Sequence, residues 1–146
     1  MSFAPPPLPS IALVRRADAV IDALGQFNLY DAELRAVRVT LAPGNVPTLE
    51  VDLYLPSAGA SDDGARALAG EHRVTLRCTD VADLSLADFE HRNVVTGYAF
   101  ERAESEDDDR RAVHVTLTGS PGCDLDLRCA AVEVVAVEPA PADDAI

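Results

Sequence analysis

With 146 residues, 12 basic against 25 acidic side chains and a net charge of −13, the chain has the length of one domain and a field that repels phosphate backbones and anionic headgroups. Nucleic acid and membrane surfaces are therefore not expected partners. Its 48% hydrophobic and 25% charged fractions are those of a packed globular protein, which argues against full disorder.

Residues 1–10 carry Pro5, Pro6, Pro7 and Pro9 and read as an extended leader, with neither the basic nor the apolar region of a secretory signal. The longest apolar runs, such as residues 11–14, fall far short of the roughly 20 residues that span a bilayer. A cytoplasmic location is expected. Val20, Ile21 and Leu24 lie at helical spacing with Gly25 just beyond, which predicts one amphipathic helix over residues 16–24.

From Leu34 the hydrophobic period becomes two. Val37, Val39 and Leu41, then Leu49, Val51, Leu53 and Leu55, alternate with polar residues and predict a hairpin with a longer loop through Pro43, Gly44, Asn45 and Pro47. Residues 56–70 are small, polar and aperiodic, a surface loop. Alternation resumes through Val74, Leu76 and Cys78, continues as a strand-like stretch over Val81, Leu84, Leu86 and Phe89, and returns over residues 94–102, 113–117, 125–129 and 132–137. The sum is a mainly β, α+β chain: an antiparallel β-sandwich or barrel-like sheet of seven or eight strands with one N-terminal helix. One globular domain over residues 11–138 is expected, with a loose tail over 139–146. Its expected core includes Leu76, Leu84, Phe89, Val94, Phe100, Val115, Leu127 and Val135.

The chemistry-bearing residues are sparse. No phosphate-binding glycine loop is present, and His72, His91 and His114 belong to no nucleophile motif. His72 and Cys78 share a strand face but stand about 20 Å apart along it. Cys78, Cys123 and Cys129 are odd in number and form no CxxC pair, so reduced, buried thiols are expected. Asp31 and Glu33 are the tidiest local carboxylate pair, since residues at i and i+2 of an extended chain share a face; a turn-fixing role is favoured over a metal site. No metal or cofactor is expected. Glu104, Glu106, Asp107, Asp108 and Asp109 form the densest charge in the chain, either a solvated hairpin tip or a docking surface for a basic partner, to which Asp62 and Asp63 could add. Tyr54 and Tyr30 are candidate aromatic anchors.

The order of these features carries a resemblance. The helix ending in Leu24-Gly25-Gln26-Phe27 is followed by Leu29-Tyr30-Asp31-Ala32-Glu33-Leu34, then Val81-Ala82-Asp83-Leu84, Phe89, Asn93-Val94-Val95, and Leu127-Arg128-Cys129 before a valine-rich last strand. Over about residues 17–139 this resembles the immunity protein 50 family of bacterial polymorphic toxin systems, with Tyr30 standing where the family carries a His. The resemblance implies a non-catalytic antidote that binds one cognate toxin domain, and the charge of −13 suits a basic, nuclease-like effector. Partner-binding residues on this reading are Asp31, Glu33, Tyr54, Glu104, Glu106, Asp107, Asp108 and Asp109. Two other classes compete: a small β-barrel ligand-binding protein or enzyme, which needs convergent polar residues at inward positions, and a module that assembles through its strand edges.

Overall fold

In the computed structural model, which describes residues 11–56, 71–90, 92–102 and 112–140, the single α-helix α1 covers Ala17–Leu24. Ala17, Val20 and Leu24 lie buried along one stripe, whereas Ile21, a third of a turn away from Val20, faces solvent because the helix touches the sheet along that stripe alone. Gly25 ends the helix at φ 85°, donating its N–H to the Ile21 carbonyl at 2.7 Å, a backbone conformation that glycine adopts without a Cβ clash.

Among the described residues nine strands make one mixed sheet: β1 (Val14–Arg15), β2 (Glu33–Ala42), β3 (Val46–Pro56), β4 (Glu71–Thr79), β5 (Ala82–Ala87), β6 (Val94–Arg102), β7 (Val113–Ser120), β8 (Asp124–Cys129) and β9 (Ala131–Ala140). Their order is β1-β9-β4-β3-β2-β6-β7-β8-β5, so the sheet has two edges and does not close into a barrel. The ninth strand is β1, two residues parallel to β9, too short to leave a periodic signal. All other pairs are antiparallel. The β2–β3 turn is tighter than the expected long loop: pairing runs to Ala42 opposite Val46, and Gly44 and Asn45 supply left-handed positions at φ 84° and 61°. At the other end of the chain β9 continues to Ala140, with Pro139 and Ala140 opposite His72 and Glu71.

The two halves of the sheet meet at one registered pair, Glu33 opposite Val94. The Asp31 N–H donates to the Val95 carbonyl at 2.9 Å, Val95 N–H to Ala32 at 2.8 Å, and Leu34 N–H to Asn93 at 2.8 Å. Because β2 and β6 are antiparallel and both begin here, they run away from one another. The buried Asn93 clamps the joint: its amide donates to the carbonyls of Glu90 (2.8 Å) and Leu34 (3.3 Å), and its oxygen accepts the Glu90 N–H (2.8 Å). Buried side chains of both halves, among them Leu53 and Val74 from one and Phe100 and Leu127 from the other, belong to a single apolar cluster that α1 joins through Val20 and Leu24. The sheet therefore bends at this joint to enclose one core.

Of the expected core, Leu76, Phe100, Val115 and Leu127 are buried, and Val94 and Val135 are half-buried. Val135 is the extra residue of a bulge, since Thr75 pairs with Ala136 and Leu76 with Val134. Leu84 and Phe89 are not core residues: Leu84 is 40% exposed because β5 is an edge strand with β8 on one side and a bulge between Ala82 and Ser85 breaks its alternation, and Phe89, 43% exposed, lies past the end of β5, beyond Asp88 in a left-handed position at φ 56°. Cys78, Cys123 and Cys129 are buried free thiols. A hydrogen bond with Cys129 and burial both push the Cys78 thiol upward, so it stays protonated.

Candidate functional site

Alternation along β2, β3, β4 and β9 puts their leucines and valines on the core side and a second set of residues on the outer side. Antiparallel register aligns that second set into rows across four strands. Arg38, Glu50, Arg77 and Glu133 make one row of alternating charge, and Thr40, Thr48 and Thr79 make the next. On the other side of the charged row stand Ala36, Asp52, Thr75 and Ala136, then Glu33, Tyr54, Arg73 and Glu138.

Ion pairs tie the rows together. Arg38 grips Asp52 with two nitrogens, at 2.7 and 3.0 Å, and reaches Glu50 at 3.4 Å; Arg77 holds the other Glu50 oxygen at 2.9 Å. The Thr75 hydroxyl donates to Asp52 at 2.8 Å. The Arg38 hydrogen bonds hold the Asp52 carboxyl below the usual carboxylate range, against the opposing effect of burial, and Asp52 in turn raises Arg38. Arg73 is raised by its hydrogen bonds to Tyr54 and Glu138.

One end of this face combines an aromatic ring with convergent charge. The Arg35 guanidinium lies over the Tyr54 ring, 4.0 Å from its centre, while its Nε donates to Glu33 at 2.6 Å. Arg92 approaches the second Glu33 oxygen at 3.6 Å. Tyr54 thus sits between Arg35 and Arg73, and Glu33 between Arg35 and Arg92. Beyond the charged row, Thr40, Thr48, Glu50, Arg77 and Thr79 line an open depression of about 380 Å³. Among the described side chains the face carries four arginines, Arg35, Arg38, Arg73 and Arg77, against five carboxylates, so this part of it is close to neutral in a chain of charge −13.

Register brings two of the expected partner-binding residues, Glu33 and Tyr54, directly opposite each other. Asp31 does not join them. It occupies a turn at φ 67°, exposed, so the extended geometry that would align its carboxylate with that of Glu33 does not hold. Glu104, Glu106, Asp107, Asp108 and Asp109, like Asp62 and Asp63, lie outside the described residues. Tyr30 is exposed and packs on Tyr98 with ring centres 4.9 Å apart, the outer end of an aromatic chain running through Phe27 to the buried Phe100.

Sequence reasoning missed the arginines of this face and Asp52. Their signal was the polar phase of the strand alternation, which becomes a pattern only when register is known. It also missed a pair on the other half-sheet, where His114 Nε2 of β7 lies 3.0 Å from both oxygens of Asp126 on β8. No group of three or more metal-ligating side chains gathers among the described residues. Among them, too, no helix is long and apolar enough to cross a membrane. No family model matches the chain, and neither a curated protein nor a solved structure matches it.

Proposed function

We propose that this chain is a non-catalytic immunity protein of the cytoplasm that binds and blocks one cognate toxin domain, using the outer face of β2, β3, β4 and β9 as its contact surface. The observation that carries the reading is the Arg35–Tyr54 stack, flanked by Glu33, Arg73 and Arg92 on a cross-braced sheet face. Tyrosine and arginine supply large contact area and directed hydrogen bonds, and they dominate the centres of protein interfaces. Their cross-strand partners hold them in place before binding, which lowers the entropy lost on association. The resemblance to the immunity protein 50 family supports the same reading. A basic toxin would be drawn in by the acidic run of Glu104, Glu106, Asp107, Asp108 and Asp109, which acts at long range while the neutral face makes the contact.

The test takes any toxin domain that the genes neighbouring this chain's own are found to encode, purifies it with the chain and follows binding kinetics at two ionic strengths; neighbours that encode none would count against the proposal. Replacing Tyr54 and Arg35 together by Ala should weaken the complex about tenfold or more, chiefly through faster dissociation. Neutralising Asp107, Asp108 and Asp109 should slow association at low salt and leave dissociation nearly unchanged. Absence of a complex, or chemical change of the toxin by this chain, would overturn the proposal.

A further inference from the structure

β2 has a neighbour on one side only for most of its length. From Ala36 to Ala42 it pairs with β3, and among the described residues no strand lies along its opposite edge, because β6 leaves the Glu33–Val94 joint in the other direction. Such an edge offers a row of unpaired N–H and C=O groups to another strand. On this one the usual protections are weak. Val39 and Leu41 point to the core side of the sheet yet are 53% and 66% exposed, although Val39 stands in one row with the buried Leu49, Cys78 and Val132, and the sole charge between Val37 and Leu41 is Arg38, already engaged by Asp52 and Glu50.

We propose that this edge pairs with the same edge of a second copy, antiparallel about a two-fold axis at Val39, a reading independent of the toxin proposal. The sequence of β2 is self-complementary in that register and in no neighbouring one. Val39 meets Val39 of the second copy, Val37 meets Leu41, Arg38 meets Thr40 and Ala36 meets Ala42, so apolar residues share one face and no like charges stand opposite. Centring the pair on Arg38 would set guanidinium against guanidinium. Centring it on Thr40 would place Val37 opposite Pro43, which lies in the turn, and would shorten the ladder. A shift by one residue would lay valine against threonine or arginine on both faces. Dimerisation joins two five-stranded half-sheets into a ten-stranded one and covers Val39 and Leu41. Since each copy carries −13, added salt strengthens this dimer instead of weakening it.

Sedimentation equilibrium of the full chain over a concentration series at low and high salt tests the proposal. The expected mass rises toward twice 15.5 kDa, more readily at high salt. Val39→Lys and Val39→Glu should each weaken the dimer about tenfold or more through loss of buried apolar area and like-charge opposition. Both should melt like the parent at dilutions where the parent is monomeric, because the side chain is exposed in the monomer. An equimolar mixture of the two should recover the dimer, since only pairing centred on residue 39 sets Lys against Glu. A parent that stays monomeric at its highest soluble concentration, variants that dimerise as the parent does, or a mixture that remains monomeric would each overturn it.

Discussion

Asp52 is the most constrained acid on the outer face. Its two oxygens serve both Arg38 nitrogens and the Thr75 hydroxyl, and only 8% of the residue is exposed. Removing the carboxylate by Asp52→Ala leaves Thr75 buried without its acceptor and should cost about 1–3 kcal/mol. Because Arg38 holds the folded-state pKa of Asp52 below its unfolded value, this group contributes stability above the ordinary aspartate pKa near ~4, and the contribution is lost as pH falls toward the depressed value. Urea unfolding over a pH series should therefore show a steeper acid limb for the parent than for Asp52→Asn; parallel limbs would contradict the assignment. Glu33 is likewise committed, with one oxygen on Arg35 and the other facing Arg92, while Asp31 is turned away in its left-handed position. Divalent cations should accordingly leave the melting temperature unchanged, and a saturable rise of several degrees would revive a metal site there.

At the scale of elements, the two large aromatics expected in the core separate cleanly. Phe100 on β6 is fully buried and touches Phe27 and Tyr98 at ring-centre distances near 6 Å, so Phe100→Ala should cost about 3–5 kcal/mol in chemical denaturation. Phe89→Ala, past the end of edge strand β5, should cost about 0.5 kcal/mol or less. Near-equal losses would show that β5 packs more tightly than its exposure indicates. The difference between these residues explains what could be read from the chain and what could not. Periodicity located α1, the boundaries of most strands and the buried phase of β3, β4, β7 and β8, since those strands are flanked on both sides or roof the core. It could not tell an edge from a centre, which is why Leu84, Phe89, Val39 and Leu41 carry core-like patterns on exposed surfaces. Nor does alternation reveal bulges, and the extra residue Val135 shifts the phase of β9. The candidate site was legible only as Glu33 and Tyr54. Arg35, Arg38, Arg73 and Asp52 converge from three strands, and that convergence is set by non-local register that no window of sequence contains.

On the scale of the whole molecule, charge and contact are divided. The excess of acid over base is a property of the entire chain, whereas the outer face of β2, β3, β4 and β9 is nearly balanced by its own arginines. Orientation at long range and adhesion at short range can then be altered by separate substitutions. The same topology has a temporal consequence. Strand β9 lies between β1 and β4, so one half-sheet is assembled from residues 14–15, 33–79 and 131–140, with the whole other half inserted between its second and last pieces. During synthesis the β2–β3–β4 meander can form from local contacts, but the flank of β4 that β9 will occupy stays bare until residue 140 has emerged. The half-sheet bearing the candidate site is thus begun before the other half and completed after it, and its closing step waits for the residues of β9.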